Sequence, residues 1–222
     1  MTMGHLRARQ PQEKIGKREH LLEAATELWQ EASFADFKMS ALAERAGVAK
    51  GTLYLYFSTK EQLFLNLLEE RLYNWMRRLA ARLDDLEDAS PRTVARVVRE
   101  EFENDPSLDR LLPMLESVLE HGIGKSAALA FKRRLLVEVN HLAASLEAAL
   151  PELQKGDGVE AAIMIRALHT GFRQMSDVSP VIREVLDSHR DLAALQVDFA
   201  RDFENALAYA LRGLLKKKGK KK

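Results

Sequence analysis

Ser40 to Phe57 reads SALAERAGVAKGTLYLYF, and Ser58-Thr59-Lys60-Glu61 follows directly. Leu42, Ala43 and Ala46 fall at i, i+1 and i+4, so they make one apolar stripe on a helix of about two turns. Gly47 ends that stripe. Glycine takes positive φ without steric cost, so it closes one helix and turns the chain within a single residue. Val48 plugs the corner, and a second helix starts near Ala49 with Leu53 and Phe57, four apart, facing inward. Lys50, Gly51, Thr52, Tyr54, Leu55 and Tyr56 are left pointing outward. A lone lysine or tyrosine is ordinarily a solvated or half-buried residue. Tyr, Leu and Tyr together on one short exposed helix waste apolar area unless something covers them. In a helix-turn-helix the second helix enters the DNA major groove with its first residues at the base edges, and this outward set suits that use.

The next helix announces itself twice. Ser58 with Glu61 fits the S-x-x-E capping box, and Thr59 with Gln62 fits its T-x-x-Q form one residue later. Free amides at that helix start, beside Lys60, would suit a phosphate.

The stretch from about Arg18 to Leu68, above all AERAGVAKGTLYLYFSTKEQLF, resembles the DNA-binding domain of TetR-type (tetracycline-repressor-like) transcriptional regulators. The resemblance implies that Lys50, Gly51 and Thr52 approach bases and backbone. It implies that Tyr54 and Tyr56 touch bases, sugars and phosphates, with Leu55 exposed between them, and that Lys60 binds a phosphate. Three positions depart from the family pattern: Ser33 stands where a glycine often ends the first helix, Lys38 where a Ser or Thr cap is usual, and Ala49 where Ser is common. An alanine cap costs roughly 1 kcal/mol relative to Ser. Ser40 is the remaining candidate to cap the second helix, from a shifted position, if Lys38 does not leave it uncapped, and it is counted with Lys50, Gly51, Thr52, Tyr54, Leu55, Tyr56 and Lys60 among the residues expected at the DNA.

The chain has 222 residues, 46% of them apolar, enough for a real core in one large or two small domains. It has no cysteine, which excludes a disulfide framework, a thiolate nucleophile and a cysteine-built zinc site. No apolar run approaches a membrane span and the first residues lack a signal-peptide core, so the expected location is the cytoplasm, with no membrane partner. Net charge is +1 but unevenly spread: residues 1–60 hold nine basic against seven acidic residues, 61–215 hold 19 against 26, and 216–222 hold six lysines and no acid. Arg7, Arg9, Lys14, Lys17 and Arg18 make a basic arm suited to a DNA backbone or minor groove. The terminal KKKGKKK reads either as salt-sensitive DNA affinity or as a solvated tail.

Helix signals run nearly end to end with no period-two pattern, so the fold class is all-α: residues 1–60 as arm and DNA-binding domain, 61–215 as a larger helical domain, 216–222 as tail. The first helix is expected from Lys17 to Ala32, and a long one from Thr59 to about Leu86 leaves the head for the body. Ser90-Pro91 starts a helix, and Asn104-Asp-Pro106-Ser107 ends it and starts another. Pro113 is expected to kink that next helix, which Gly122 and Gly124 end. Further helices are expected from Ser126 to Leu150, up to about Asp177, briefly after Ser179-Pro180, and from Asp191 to Leu215. The segment Val159 to Met175 is apolar around most of its girth, and Ala167 with Gly171 offers a small face. With the last helix it could form a four-helix bundle across a two-fold axis, as the corresponding helices do in the TetR-like family.

Catalytic signals are missing: the six histidines form no H-x-x-x-H or H-E-x-x-H array, and there is no G-x-S-x-G elbow or phosphate loop. No enzyme, cofactor or metal site is expected. The resemblance implies a small-molecule effector bound among the helices of residues 61–215. Trp75, Phe102, Met114, Phe131, His169, Phe172, Arg173 and Met175 are the candidates to meet it, large, adaptable or polar-tipped groups of the kind pockets favour. Each alone reads more readily as core, and His169 with Arg173, four apart, is the best polar anchor. The expected function is a sequence-specific, homodimeric repressor of a palindromic operator, released by that effector. The alternative is a weakly specific or architectural DNA-binding protein that takes none.

Overall fold

The computed structural model describes residues 4–216, with side chains from Lys14 onward. The tail beyond Lys216 and the side chains of Arg7 and Arg9 lie outside the described residues. Among those described the regular elements are all helical. They divide into two compact units, residues 1–70 with 114–128, and residues 71–113 with 129–222.

The first unit holds α1 (Gly4–Glu31), α2 (Met39–Arg45), α3 (Lys50–Tyr56) and the start of α4 (Lys60–Asp84). α1 begins well before the expected Lys17. The Arg, Gln, Glu and Lys residues of the basic segment are good helix formers and extend the helix instead of preceding it. Between α2 and α3, Gly47 stands at φ +63°. Its amide donates to Glu44 O and that of Val48 to Ala43 O, at 3.1 and 2.9 Å, the paired bonds of a Schellman turn that satisfy the last carbonyls of α2. Leu42, Ala43, Ala46, Leu53 and Phe57 are buried as expected. The centre of this core is Phe64, which stands nearly perpendicular to Trp29, Phe34 and Phe37 at centroid distances of 4.8–4.9 Å.

The second unit holds the rest of α4, then α5 (Pro91–Glu103), α6 (Pro106–Leu111), most of α7 (Lys125–Ala149), α8 (Asp157–Ser176), α9 (Pro180–Ser188) and α10 (Phe199–Lys216). α10 packs on α5 and α8 and buries Phe199, Phe203, Leu207, Leu211 and Leu214. Ser90 and Ser179 cap α5 and α9, each followed by Pro at the first turn, and Asp105 caps α6. Two expectations change. The helix expected to run through a kink at Pro113 instead stops at Leu111, followed by a 3₁₀ turn over Leu112–Met114. Proline offers no amide and its ring collides with the carbonyl four residues back, and here that ends the helix. The last helix also starts late, at Phe199, because residues 190–195 wind as a separate 3₁₀ segment.

Glycines separate packing from backbone freedom. A Cβ on Gly158 would collide with the Ala143 backbone, whereas one on Gly47 would meet nothing within 4 Å. Gly158→Ala therefore forces α7 and α8 apart and should cost at least the roughly 1–3 kcal/mol of an overpacked core. Gly47→Ala should cost only the roughly 1–2 kcal/mol of a left-handed non-glycine residue. Urea denaturation of the two variants should show that order.

Candidate functional site

α3 is held by its inner face alone. Leu53 and Phe57 are fully buried, while Tyr54 is 42% and Leu55 80% exposed. Lys50 and Gly51 are also exposed, and Thr52 and Tyr56 are half-buried. From Ala46 to Lys60 the chain carries two lysines and no carboxylate, so the outer surface is apolar and positively charged, a suitable face for a polyanion. Neither helix of the motif has a side-chain cap. Lys38 and Ala49 occupy the cap positions of α2 and α3 without bonding an amide, and Ser40 lies exposed inside α2.

At the start of α4 Thr59 is the cap, and only its half of the box forms as expected, the Gln62 side chain reaching one residue further back to Ser58. Thr59 Oγ1 accepts from the Gln62 amide at 3.0 Å, and Gln62 Oε1 accepts from Ser58 N at 2.9 Å and Ser58 Oγ at 2.7 Å. Lys60 has an occupation the sequence did not suggest. Its ammonium donates to Phe34 O at 2.7 Å and to Phe37 O at 3.5 Å and lies 4.2 Å from the centroid of the Phe34 ring, so it props the connection between α1 and α2. One of its protons remains for an outside acceptor. Arg18 is likewise drawn inward, donating to Asn66 Oδ1 and facing the Phe57 ring, while Lys14 and Lys17 stay exposed. Arg45 of α2 pairs with Glu31 of α1 through both nitrogens at 2.7 Å.

In the second unit the expected effector residues separate. Trp75, Phe102 and His169 form a stacked column, with centroids 4.4 Å apart from Trp75 to Phe102 and 4.0 Å from Phe102 to His169. Phe199 and Phe203 close on the histidine edge. His169 Nε2 lies 2.7 Å from Asp109 Oδ1, and Arg173 holds the same carboxylate by Nε at 3.0 Å and Nη2 at 2.5 Å. Burial pushes the His169 pKa down, and the Asp109 carboxylate opposes that shift. The neutral ring therefore donates from Nε2 to the carboxylate, leaving Nδ1 bare. Phe131 is buried apart from this group, beneath Lys132. Phe172 is half-buried and Met175 is 59% exposed. Met114 belongs to the first unit. A cavity of about 290 Å³ opens among Met175, Arg183, Leu186, Gln196 and Arg201, and of the expected residues only Met175 borders it. No local pattern points to Asp109, which is 60 residues from its histidine.

Charge also ties the helices of this unit together. Buried Glu101 of α5 accepts from Arg78 Nε and Arg82 Nη1 of α4, both at 3.1 Å. Asp105, also buried, takes Arg71 of α4 at 3.0 Å while capping α6, and Arg99 of α5 reaches Glu204 of α10 at 2.9 Å. No group of His, Cys, Asp and Glu among the described residues could hold a metal ion, and no described helix is long and apolar enough to cross a membrane.

Residues 21–67 match the family described as bacterial regulatory proteins, tetR family, and residues 69–218 match the tetracyclin repressor-like C-terminal domain. The fatty acid metabolism regulator protein of Bacillus subtilis (strain 168) is 34% identical over 67 residues, covering 30% of this chain and 34% of that protein. The chain therefore matches about a third of that relative's length. A TetR-family transcriptional regulator from Pectobacterium atrosepticum superposes with a TM-score of 0.59 at 21% identity, covering 92% and 96% of the two chains. FadR from Bacillus subtilis in complex with stearoyl-CoA superposes at 0.51 and 21%, covering 86% and 97%. At these identities the structures share a fold.

The lowered His169 pKa has a direct consequence for stability. Above the ordinary histidine value of 6.5 the ring is neutral in both the folded and the unfolded chain. As pH falls below it the unfolded chain takes up the proton first, so stability is lost as pH drops toward the lower folded value. Urea midpoints measured from pH 7.5 to 5 should fall for the wild type. His169→Gln should remove that part of the slope.

Proposed function

The chain belongs to the TetR family of DNA-binding transcriptional regulators, and from that premise we propose that it acts as a homodimeric repressor of a palindromic operator, released by a small-molecule effector. The observation that carries the DNA part is the division of α3, with Leu53 and Phe57 at zero exposure and Leu55 at 80%. Nothing within the described unit covers that outer face, and its length and charge suit a major groove. In this reading Lys50, Gly51, Thr52, Tyr54 and Leu55 meet base edges, and Tyr56 meets the backbone. Lys60 fixes the α1–α2 connection and offers its spare proton to a phosphate. Two copies related by a two-fold axis place their α3 helices one turn of duplex apart, about 34–36 Å.

Pairing of subunits is supported by what α8 and α10 leave uncovered. Ile163 is 54% and Tyr209 67% exposed, and Gly171 and Gly213 have open space where a Cβ would stand. A glycine inside a helix costs about 0.5–1 kcal/mol relative to alanine, and within one protomer these two gain no close contact for it. Space reserved for a second copy accounts for them.

For the effector, support comes from fold and family: a protein of this fold holds stearoyl-CoA. An effector must bind the released state better than the DNA-competent one, and a coupling of about 1–3 kcal/mol changes operator affinity 5- to 150-fold. The second reading is a DNA-binding protein that takes no effector. It is favoured by the side-chain-filled column of Trp75, Phe102 and His169.

Selection of bound duplexes from a random pool should return one inverted repeat, and a pool without enrichment would reject sequence-specific binding. Lys50→Ala and Thr52→Ala should change the selected bases. Tyr56→Ala and Lys60→Ala should weaken all sequences alike, since backbone contacts position and base contacts specify. Gly171→Leu should fill the reserved space, and sedimentation should find it shifted toward monomer with its helical signal intact. An unchanged dimer would place the interface elsewhere.

A further inference from the structure

The grip of Arg173 and His169 on Asp109 has the form in which proteins hold a carboxylate ligand. Two parallel guanidinium contacts meet the two oxygens, and the imidazole adds a third at 2.7 Å. Here the carboxylate is supplied by the chain itself. The walls are apolar: the Arg173 guanidinium lies 3.7 Å from the Phe199 ring centroid, and His169 stacks at 4.0 Å on Phe102. A charge pair drawn into such surroundings is a poor way to stabilise a fold, because desolvation of both partners opposes their attraction.

Two further features separate this cluster from ordinary packing. His169 Nδ1 and Trp75 Nε1 are buried without a hydrogen-bond partner, one a bare acceptor and the other a bare donor. Their residues are 0% and 2% exposed. Native interiors seldom leave such atoms unmatched. Asp109 also sits on the six-residue α6, which is followed by the 3₁₀ turn at Pro113 and is tied to α4 through Asp105 and Arg71. Access exists on one side, since the Arg173 side chain is 31% exposed against 15% for Asp109 and none for His169.

We propose that His169 and Arg173 form a seat for the carboxylate of an amphipathic effector, and that Asp109 occupies the seat as an internal stand-in until such a ligand displaces it. The apolar body of the ligand lies along the aromatic column, and its polar substituents meet Nδ1 of His169 or Nε1 of Trp75. Displacement frees α6 from α8 and loads the change onto the Asp105–Arg71 tie. This inference rests on the effector part of the proposed function and is independent of the DNA-binding part.

The test uses the full chain with Asp109→Ala, which empties the seat. Thermal melting is followed at constant ionic strength with acetate, with 4-phenylbutyrate, and with the amides of both. Both acids should raise the melting temperature of the variant saturably, phenylbutyrate at a concentration at least tenfold lower than acetate, and the amides should have no effect. Wild type should need at least tenfold more phenylbutyrate, because Asp109 competes. Adding Arg173→Met to the variant should abolish the response. Equal responses to acid and amide, no response to either acid, or a response surviving Arg173→Met would overturn the proposal. Should Asp109→Ala fail to fold, Asp109→Asn, of the same shape and uncharged, is titrated with the same expectations. DNA is absent from the assay, so its failure leaves the operator selection untouched, and a failed selection leaves the seat measurement standing.

Discussion

A helix of seven residues is too short to persist in water, so α3 exists only because Leu53 and Phe57 are held at zero exposure in the first unit. Everything presented on its outer face depends on that anchorage. The bonds that would otherwise help are few: Ala49 provides no side-chain cap, and the turn before it relies on backbone bonds alone. The core beneath must therefore be stiff. Phe64 with three perpendicular aromatic rings around it, and Lys60 gripping the Phe34 carbonyl, give it that stiffness.

The second unit is organised differently. Its helices are apolar enough to pack unaided, yet buried Glu101 and Asp105 are set between arginines of α4. Such pairs contribute little net stability compared with apolar replacements, but breaking one strands a buried charge. Their effect is to make the α4–α5–α6 register discrete.

What could be read from the sequence was local in origin. Gly47, the Leu53–Phe57 pair, the Ser90-Pro91 and Ser179-Pro180 starts, and the Thr59 cap each use residues within a few positions of one another, and each stands as expected. The failures were of two kinds. Pro113 is expected to bend a helix and instead ends one, a choice settled by the surroundings and not by the proline. The central place of Phe64 and the role of Asp109 could not be read off, because both depend on partners 27 to 64 residues away; Phe64 closes the quoted family-like stretch without marking itself there as a core residue. Among the effector residues His169 and Arg173 did come together, since spacing of four puts them on one helix face. Met175, at the end of the same helix, faces out.

The contrast between Gly158 and Gly171 in the single helix α8 shows how one element can serve two neighbours. At Gly158 the Ala143 backbone presses so close that any side chain would collide, and the Glu147 carboxylate of α7 accepts from the amides of Gly156 and Gly158 at 2.7 and 3.0 Å. That end is locked to its own chain. Further along, His169 and Arg173 face inward to Asp109, while Gly171 between them opens onto empty space. A disturbance of the Asp109 contact therefore acts on the same two turns of helix that bear the uncovered small residue. Inner and outer faces of α8 share, over these turns, one hydrogen-bonded backbone.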